Sequence, residues 1–285
     1  MQVLSKSLFV VTAASVALMG CNPEGEGKGS AGSSFSLSSV ALKTPTYVLT
    51  DSDAEFAATI SDSAEAGYSV GMDAGMSRSL GSDITQRALS SFSARNSETE
   101  SFDCDTGSMT ITVSSSDVTS SGEPKESGSM SFDTTFNNCY DDWEEQTVNG
   151  SVDVEFSWTG YNPNSNSELG FDTMSVVMEF KDLNVVAYDY WEDADVESTL
   201  DGAIVYGLAE NAITLDWALS VAGTETNNEF VTTKTTQTIT MDLETDEMSG
   251  AWVVNGANGT KAEVTQQNNG YSVSVNGGAS VIVYN

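Results

Sequence analysis

Histidine is missing altogether from this 285-residue chain. Its absence removes the Ser-His-Asp and Cys-His machineries, the imidazole general base and the usual His-rich zinc sites, and leaves carboxylates, hydroxyls and a few amines for any chemistry. Positive charge is nearly as scarce, with 10 Lys and Arg against 42 Asp and Glu and a net charge of −32. Such a surface repels nucleic acid and anionic membrane surfaces, so no nucleic-acid partner is expected. In seawater or brine a Debye length of roughly 3–6 Å screens the self-repulsion, and the acidity reads first as a salt-adapted coat. Cysteine is limited to 3 residues.

Long apolar runs are scarce too. The run LFVVTAASVALM at 8–19 follows Lys6 and is too short for a membrane span, which needs roughly 20 residues. A basic start followed by a short apolar stretch is the pattern of a secretory signal, here residues 1–20. Leu18, Met19, Gly20 and Cys21 resemble the lipobox of bacterial lipoproteins, in which a small residue precedes a cysteine that is acylated and becomes the first residue of the mature chain. The resemblance implies lipidation at Cys21, a signal peptide, a palmitate-type acyl anchor and a lipid partner. Asn22, by the sorting rule of enteric bacteria, implies the outer membrane. Loss of Lys6 with the signal moves the net charge from −32 to −33. Residues 21–34, rich in Gly and Ser, have too little apolar surface to offset the entropy of ordering and read as a disordered tether.

With Cys21 acylated, Cys104 and Cys139 remain as one pair, and an oxidising compartment makes a disulfide the expected state. Between them SMTITVS from Ser108 and GSMSFDTTF from Gly128 alternate in polarity, separated by a polar, turn-rich stretch. An antiparallel hairpin centred on Ser121 and Gly122 sets Ile111 against Phe132, Val113 against Met130 and Cys104 against Cys139. That register puts the cysteines on the face opposite the apolar one unless a bulge intervenes near Asn137 and Asn138.

Beyond Cys139, period-two alternation recurs at Val152, Val154, Phe156 and Trp158, at Met174, Val176, Met178 and Phe180, and at Ile213, Leu215, Trp217, Leu219 and Val221. The pairs Asn149-Gly150, Asn255-Gly256, Asn258-Gly259, Asn269-Gly270 and Asn276-Gly277 supply residues that tolerate positive φ and read as hairpin turns. The fold expected is mainly β: an antiparallel meander of about 10–12 strands forming a curved sheet, a sandwich or a partly closed barrel. A transmembrane barrel fits less well, because charges and threonines crowd the second face and a lipid anchor would be redundant. Two short helices are expected before the sheet, packed against it. One follows a capping box at Ser52 and Glu55, carries Phe56, Ile60 and Ala64 and stops at Gly67; the other carries Ile84, Ala88, Leu89 and Phe92. The expected organisation is a signal peptide at 1–20, the tether at 21–34, a helical segment at 35–100 and the β domain at 101–285.

A lipobox, small N-terminal helices, Cys104, FNNC at 136–139, VNG at 148–150 and a run of Gly- and Thr-rich strands together resemble a loose group of uncharacterised β-rich proteobacterial lipoproteins. The resemblance implies fold and location and carries no catalytic residue. Two acidic stretches, 141–145 and 188–202, offer candidate ligands. Asp193, Asp195 and Glu197 alternate like a calcium loop, but Ser198 and Ile204 stand where an EF-hand needs glycine and a bidentate glutamate. Asp189 and Glu192 would complete any non-EF cluster, and a solvated loop is the favoured reading, with no cofactor expected. Trp143, Tyr188, Tyr190 and Trp191 could stack on a sugar while nearby carboxylates bind its hydroxyls. The expected function is a non-catalytic binding or structural module of the cell envelope, with a protein or glycan partner not specified by the residues. A carrier of an apolar ligand and a carboxylate-based glycan-active enzyme are the alternatives.

Overall fold

The computed structural model describes residues 35–60 and 97–284, except 116, 118–124, 142–144, 163–170, 190–192, 210, 211, 246, 268 and 269. The lipobox, the tether, Ala64, Gly67 and the helical pattern at 84–92 lie outside the described residues. Twelve strands form one antiparallel meander: β1 (Ser97–Asp103), β2 (Thr106–Ser115), β3 (Gly128–Asp141), β4 (Gln146–Thr159), β5 (Thr173–Asp189), β6 (Ala194–Ala209), β7 (Ala212–Gly223), β8 (Val231–Asp242), β9 (Met248–Asn255), β10 (Lys261–Gln267), β11 (Gly270–Val275) and β12 (Val281–Tyr284). Each pairs with its chain neighbours, so the sheet is open and β1 and β12 are its edges. The alternation that predicts strands is the alternation observed. In β10, Ala262, Val264 and Gln266 are buried while Lys261, Glu263, Thr265 and Gln267 are exposed, as a half-buried strand requires.

The β2–β3 register differs by two residues from the one centred on Ser121 and Gly122: Ile111 lies opposite Thr134, and Val113 opposite Phe132. An even displacement keeps every side chain on its face. The cause is local. Asp117 Oδ2 accepts the Ser129 N–H at 3.1 Å and Ser115 Oγ donates to Ser129 O at 3.0 Å, so side chains replace ladder bonds at this end of the pair.

A seam of bulges crosses β2 to β6. It alternates glycine with a left-handed Asx residue: Gly107 (φ 80°), Asn138 (φ 47°), Gly150 (φ 108°), Asp182 (φ 48°) and Gly202 (φ 130°). Register shifts accompany it in all four strand pairs from β2–β3 to β5–β6. At Gly107 and Gly150 a β-carbon would stand 2.0 Å and 2.3 Å from the Asn138 and Asp182 carbonyl oxygens, so only glycine admits the neighbouring strand's bulge. Asn149-Gly150, expected as a turn, is therefore a bulge inside β4. Asn276-Gly277 does turn the chain, with both residues at positive φ and Gly278 N–H donating to Val275 O at 2.8 Å.

The bulge at Asn137 and Asn138 also decides the cysteine geometry. It turns Cys139 to the core face, 4% exposed, where it is bonded to Cys104 with a Cα separation of 5.4 Å. Cys104 sits in the β1–β2 connection, its N–H donating to Gly107 O at 3.3 Å, rather than on an extension of β2.

Of the expected helical segment at 35–100, residues 35–60 and 97–100 are described. Residues 40–50 carry no regular secondary structure apart from a bend at Tyr47, after a 3₁₀ turn at Leu37–Ser39, and β1 begins at Ser97. The helix cap stands two residues before Ser52: Thr50 N–H donates to Asp53 Oδ2 at 2.6 Å, opening a turn at Asp51–Asp53 that continues as a helix over 54–60 (α1). Tyr47 Oη donates to Asp53 Oδ1 at 3.1 Å, so a tertiary contact selects Asp53 over Glu55.

Helix α1 is not a separate unit. Ala54, Ala57, Ala58 and Ile60 belong to one buried cluster that runs from Met109 on β2 to Val275 on β11, which requires the sheet to curl its apolar face around them. Trp217 and Trp252, 1% and 2% exposed, stand 5.5 Å apart at the centre, and Trp252 Nε1 donates to Ala57 O at 3.0 Å.

Candidate functional site

Because α1 and the two tryptophans occupy the inner face, polar chemistry lies on the outer face and at the strand ends. At the β5–β6 hairpin, Tyr188 stands opposite Asp195, and Val186 opposite Glu197, so alternation puts Asp195 and Glu197 on one face of β6. Tyr188 Oη donates to Asp193, whose φ of 52° makes it a turn residue. That hydrogen bond, followed by burial and the Asp195 charge, holds the phenol above its ordinary pKa. Glu197 is held by amides: its Oε1 accepts from Asn184 Nδ2 at 2.8 Å, its Oε2 from Asn228 Nδ2 at 3.3 Å, and its N–H donates to Thr224 Oγ1 at 2.9 Å. The structure thus brings Tyr188, Asp193 and Asp195 to one hairpin end and ties Glu197 to the next loop. Trp143, Tyr190, Trp191 and Glu192 lie outside the described residues.

Among the described residues no three acidic or sulfur side chains converge closely enough to hold a metal ion. The salt response separates a general acidic coat from a bound cation. The melting temperature should rise smoothly with NaCl as screening relieves repulsion spread over a net charge of −32, and calcium at matched ionic strength should add nothing. A saturable calcium shift that disappears in Asp193→Asn with Asp195→Asn would establish a site there, because binding stabilises by mass action.

A second group, not singled out in the sequence, lies across β3 to β5. Asp133 is directly opposite Asp153, and Asp153 opposite Glu179, an arrangement of like charges that costs stability unless countered. Lys181 counters it with an ion pair to Asp153. Burial, then the Asp153 charge, raises the Asp133 pKa, and Lys181 opposes that shift. The ion pair in turn raises the Lys181 pKa. Period two alone puts these acids on outward positions, but only the inter-strand register makes them neighbours.

The third group fastens the N-terminal segment across the sheet. Lys43 pairs with Asp182 in the bulge seam and with Asp201 at 3.0 Å, and its N–H donates to Ser220 Oγ at 2.8 Å. Both carboxylates raise the lysine's pKa, Asp182 first. Thr46 and Tyr47 N–H groups donate to Phe230 O at 2.8 and 3.1 Å, Ala257 N–H to Tyr47 O at 2.6 Å, Leu49 N–H to Thr260 Oγ1 at 3.1 Å and Asn276 Nδ2 to Leu49 O at 3.1 Å. A strap of seven residues, 43–49, thereby runs from the middle of β5 and β6 at Asp182 and Asp201 to the strand ends and connections of β7 to β11. Chemically these groups orient and fasten. Searches of protein-family models, of curated proteins and of solved structures return no match to this chain.

Proposed function

We propose that this protein is a lipid-anchored module of the bacterial cell envelope, held at the outer membrane by acyl chains on Cys21, whose sheet serves as a non-catalytic binding or structural surface. The observation that carries this reading is the strap. The chain on the C-terminal side of Cys21 is fastened to the sheet through Lys43, Thr46, Tyr47 and Leu49, and then enters the core as α1. A pull on the N-terminus is met by several strands at once, which suits a chain fastened to a surface. Acyl chains contribute about 0.8 kcal/mol per buried methylene, and two or more give a stable anchor without a transmembrane helix. The interior supports the module over the apolar carrier, because Ala57, Ala58, Trp217 and Trp252 fill it and a ligand would have to displace α1.

Cys21→Ser tests the anchor. The variant should lose incorporation of labelled palmitate and move from the membrane to the soluble fraction, with the folded domain's circular dichroism unchanged. Wild-type protein recovered soluble, unacylated and cleaved elsewhere would end this reading. Native mass spectrometry of protein extracted from its host reports a retained ligand or ion in the same measurement, and an apolar ligand would favour the carrier instead.

A further inference from the structure

In a chain with 42 acidic residues, the longest stretch without charge is at 264–285, which contains no Asp, Glu, Lys or Arg. That stretch makes most of β10 and all of β11 and β12, and β12 is an edge of the sheet. The edge is apolar on both faces. Val281 and Val283 stand opposite Val273 and Tyr271, and Ile282 and Tyr284 opposite Ser272 and Gly270. Val281 is 53%, Ile282 42% and Tyr284 75% exposed, and these are three of the five exposed large apolar side chains among the described residues. Edge strands normally carry a lysine, a proline, a bulge or a cover that blocks pairing with another chain. Residues 281–284, VIVY, contain neither lysine nor proline, and their pairing to β11 is continuous. The opposite edge differs, since β1 is SETESFD and brings three acids.

We infer that β12 is a self-association edge, and that two copies of this chain pair antiparallel through β12 about a two-fold axis. Charge selects the occupant. Two molecules of net charge −32 repel across most of their surfaces, and the uncharged β11–β12 region is where their backbones approach with least local opposition. The acids of β1 make a β12–β1 contact, which would extend into a filament, less favourable than the isologous pair. In the pair, the outward N–H and C=O groups of alternate β12 residues bond to the twin strand, and Ile282 and Tyr284 of each copy meet their counterparts on the outer face. This inference rests on the edge alone and is independent of acylation at Cys21.

Sedimentation and native mass spectrometry of the full chain extracted from its host, with amide exchange read at 281–284, test it. A monomer–dimer equilibrium should appear and strengthen with NaCl, as screening reduces the long-range repulsion. The amides at 281–284 should exchange more slowly as protein concentration rises. Ile282→Glu and Ile282→Lys should each weaken the dimer at least about 10-fold, since like charges then face across the axis in either variant. If net charge alone governed association, Lys would strengthen it while Glu weakened it. A monomer at every concentration and salt, a dimer that the Lys variant strengthens, a dimer indifferent to both variants, or exchange at 281–284 independent of concentration would each overturn the inference.

Discussion

Trp252→Ala should destabilise the fold by about 3–5 kcal/mol, the range for removing a large aromatic from a packed core. Three contacts are lost together. The indole is 2% exposed, it meets Trp217 and Tyr271 with ring centroids 5.5 Å away in each case, and its Nε1 donates to the Ala57 carbonyl at 3.0 Å. Truncation leaves a cavity between α1 and the sheet and removes the indole's hydrogen bond to the helix. Trp252→Phe separates these effects, because it keeps an aromatic ring and removes the hydrogen bond to Ala57 O, a loss of about 0.5–1.5 kcal/mol. Urea denaturation followed by far-ultraviolet circular dichroism gives both values. Amide exchange at 54–60 should accelerate in both variants more than exchange in β3 and β4, since α1 loses its hydrogen-bonded seat first. A loss under about 1 kcal/mol for Trp252→Ala, where core truncations cost several, would mean that α1 does not occupy the interior.

Removing the Cys104–Cys139 bond is expected to cost about 4 kcal/mol in the chain-entropy model, given a sequence separation of 35. The double variant Cys104→Ala with Cys139→Ala is the appropriate test, because alanine puts no hydroxyl into the buried position of Cys139. The loss should be regional. The bond joins the β1–β2 connection to β3, so exchange protection should fall in β1, β2 and β3 while β7 to β11 keep theirs up to the global limit. Peptide mapping without reduction should recover the two cysteines in one linked species. A free thiol at either position would contradict both the pairing and the bulge that turns Cys139 inward.

Strand identity was legible where a strand buries one face, as β2 and β10 do, and period two survives in any register. Val152, Val154 and Phe156 on β4, and Val176, Met178 and Phe180 on β5, are buried as that period demands. The bulge seam was not legible for a related reason. Asn-Gly tolerates positive φ whether the chain is reversing or bulging, and at Gly150 only the close approach of the Asp182 carbonyl distinguishes the two. The strap was hidden by distance along the chain: Lys43 lies 139 residues from Asp182, and no local pattern encodes such a contact. The candidate acids followed the same rule. Asp193 and Asp195 could be picked out because they are near in sequence, whereas Asp133, Asp153 and Lys181 become a group only through cross-strand register.

By itself, the amino-acid sequence determined that this protein is an acidic, antiparallel β meander without imidazole chemistry, because composition, alternation and turn residues act through local geometry and solvation. Tertiary structure decided that the sheet stays open, that its interior holds the chain's own helix, that Cys139 faces inward and that β12 is left as an uncharged edge. Those outcomes depend on which backbone groups meet across strands and on how far twist and bulges curl the sheet before its edges meet. Such quantities accumulate over twelve strands and belong to no single stretch of sequence.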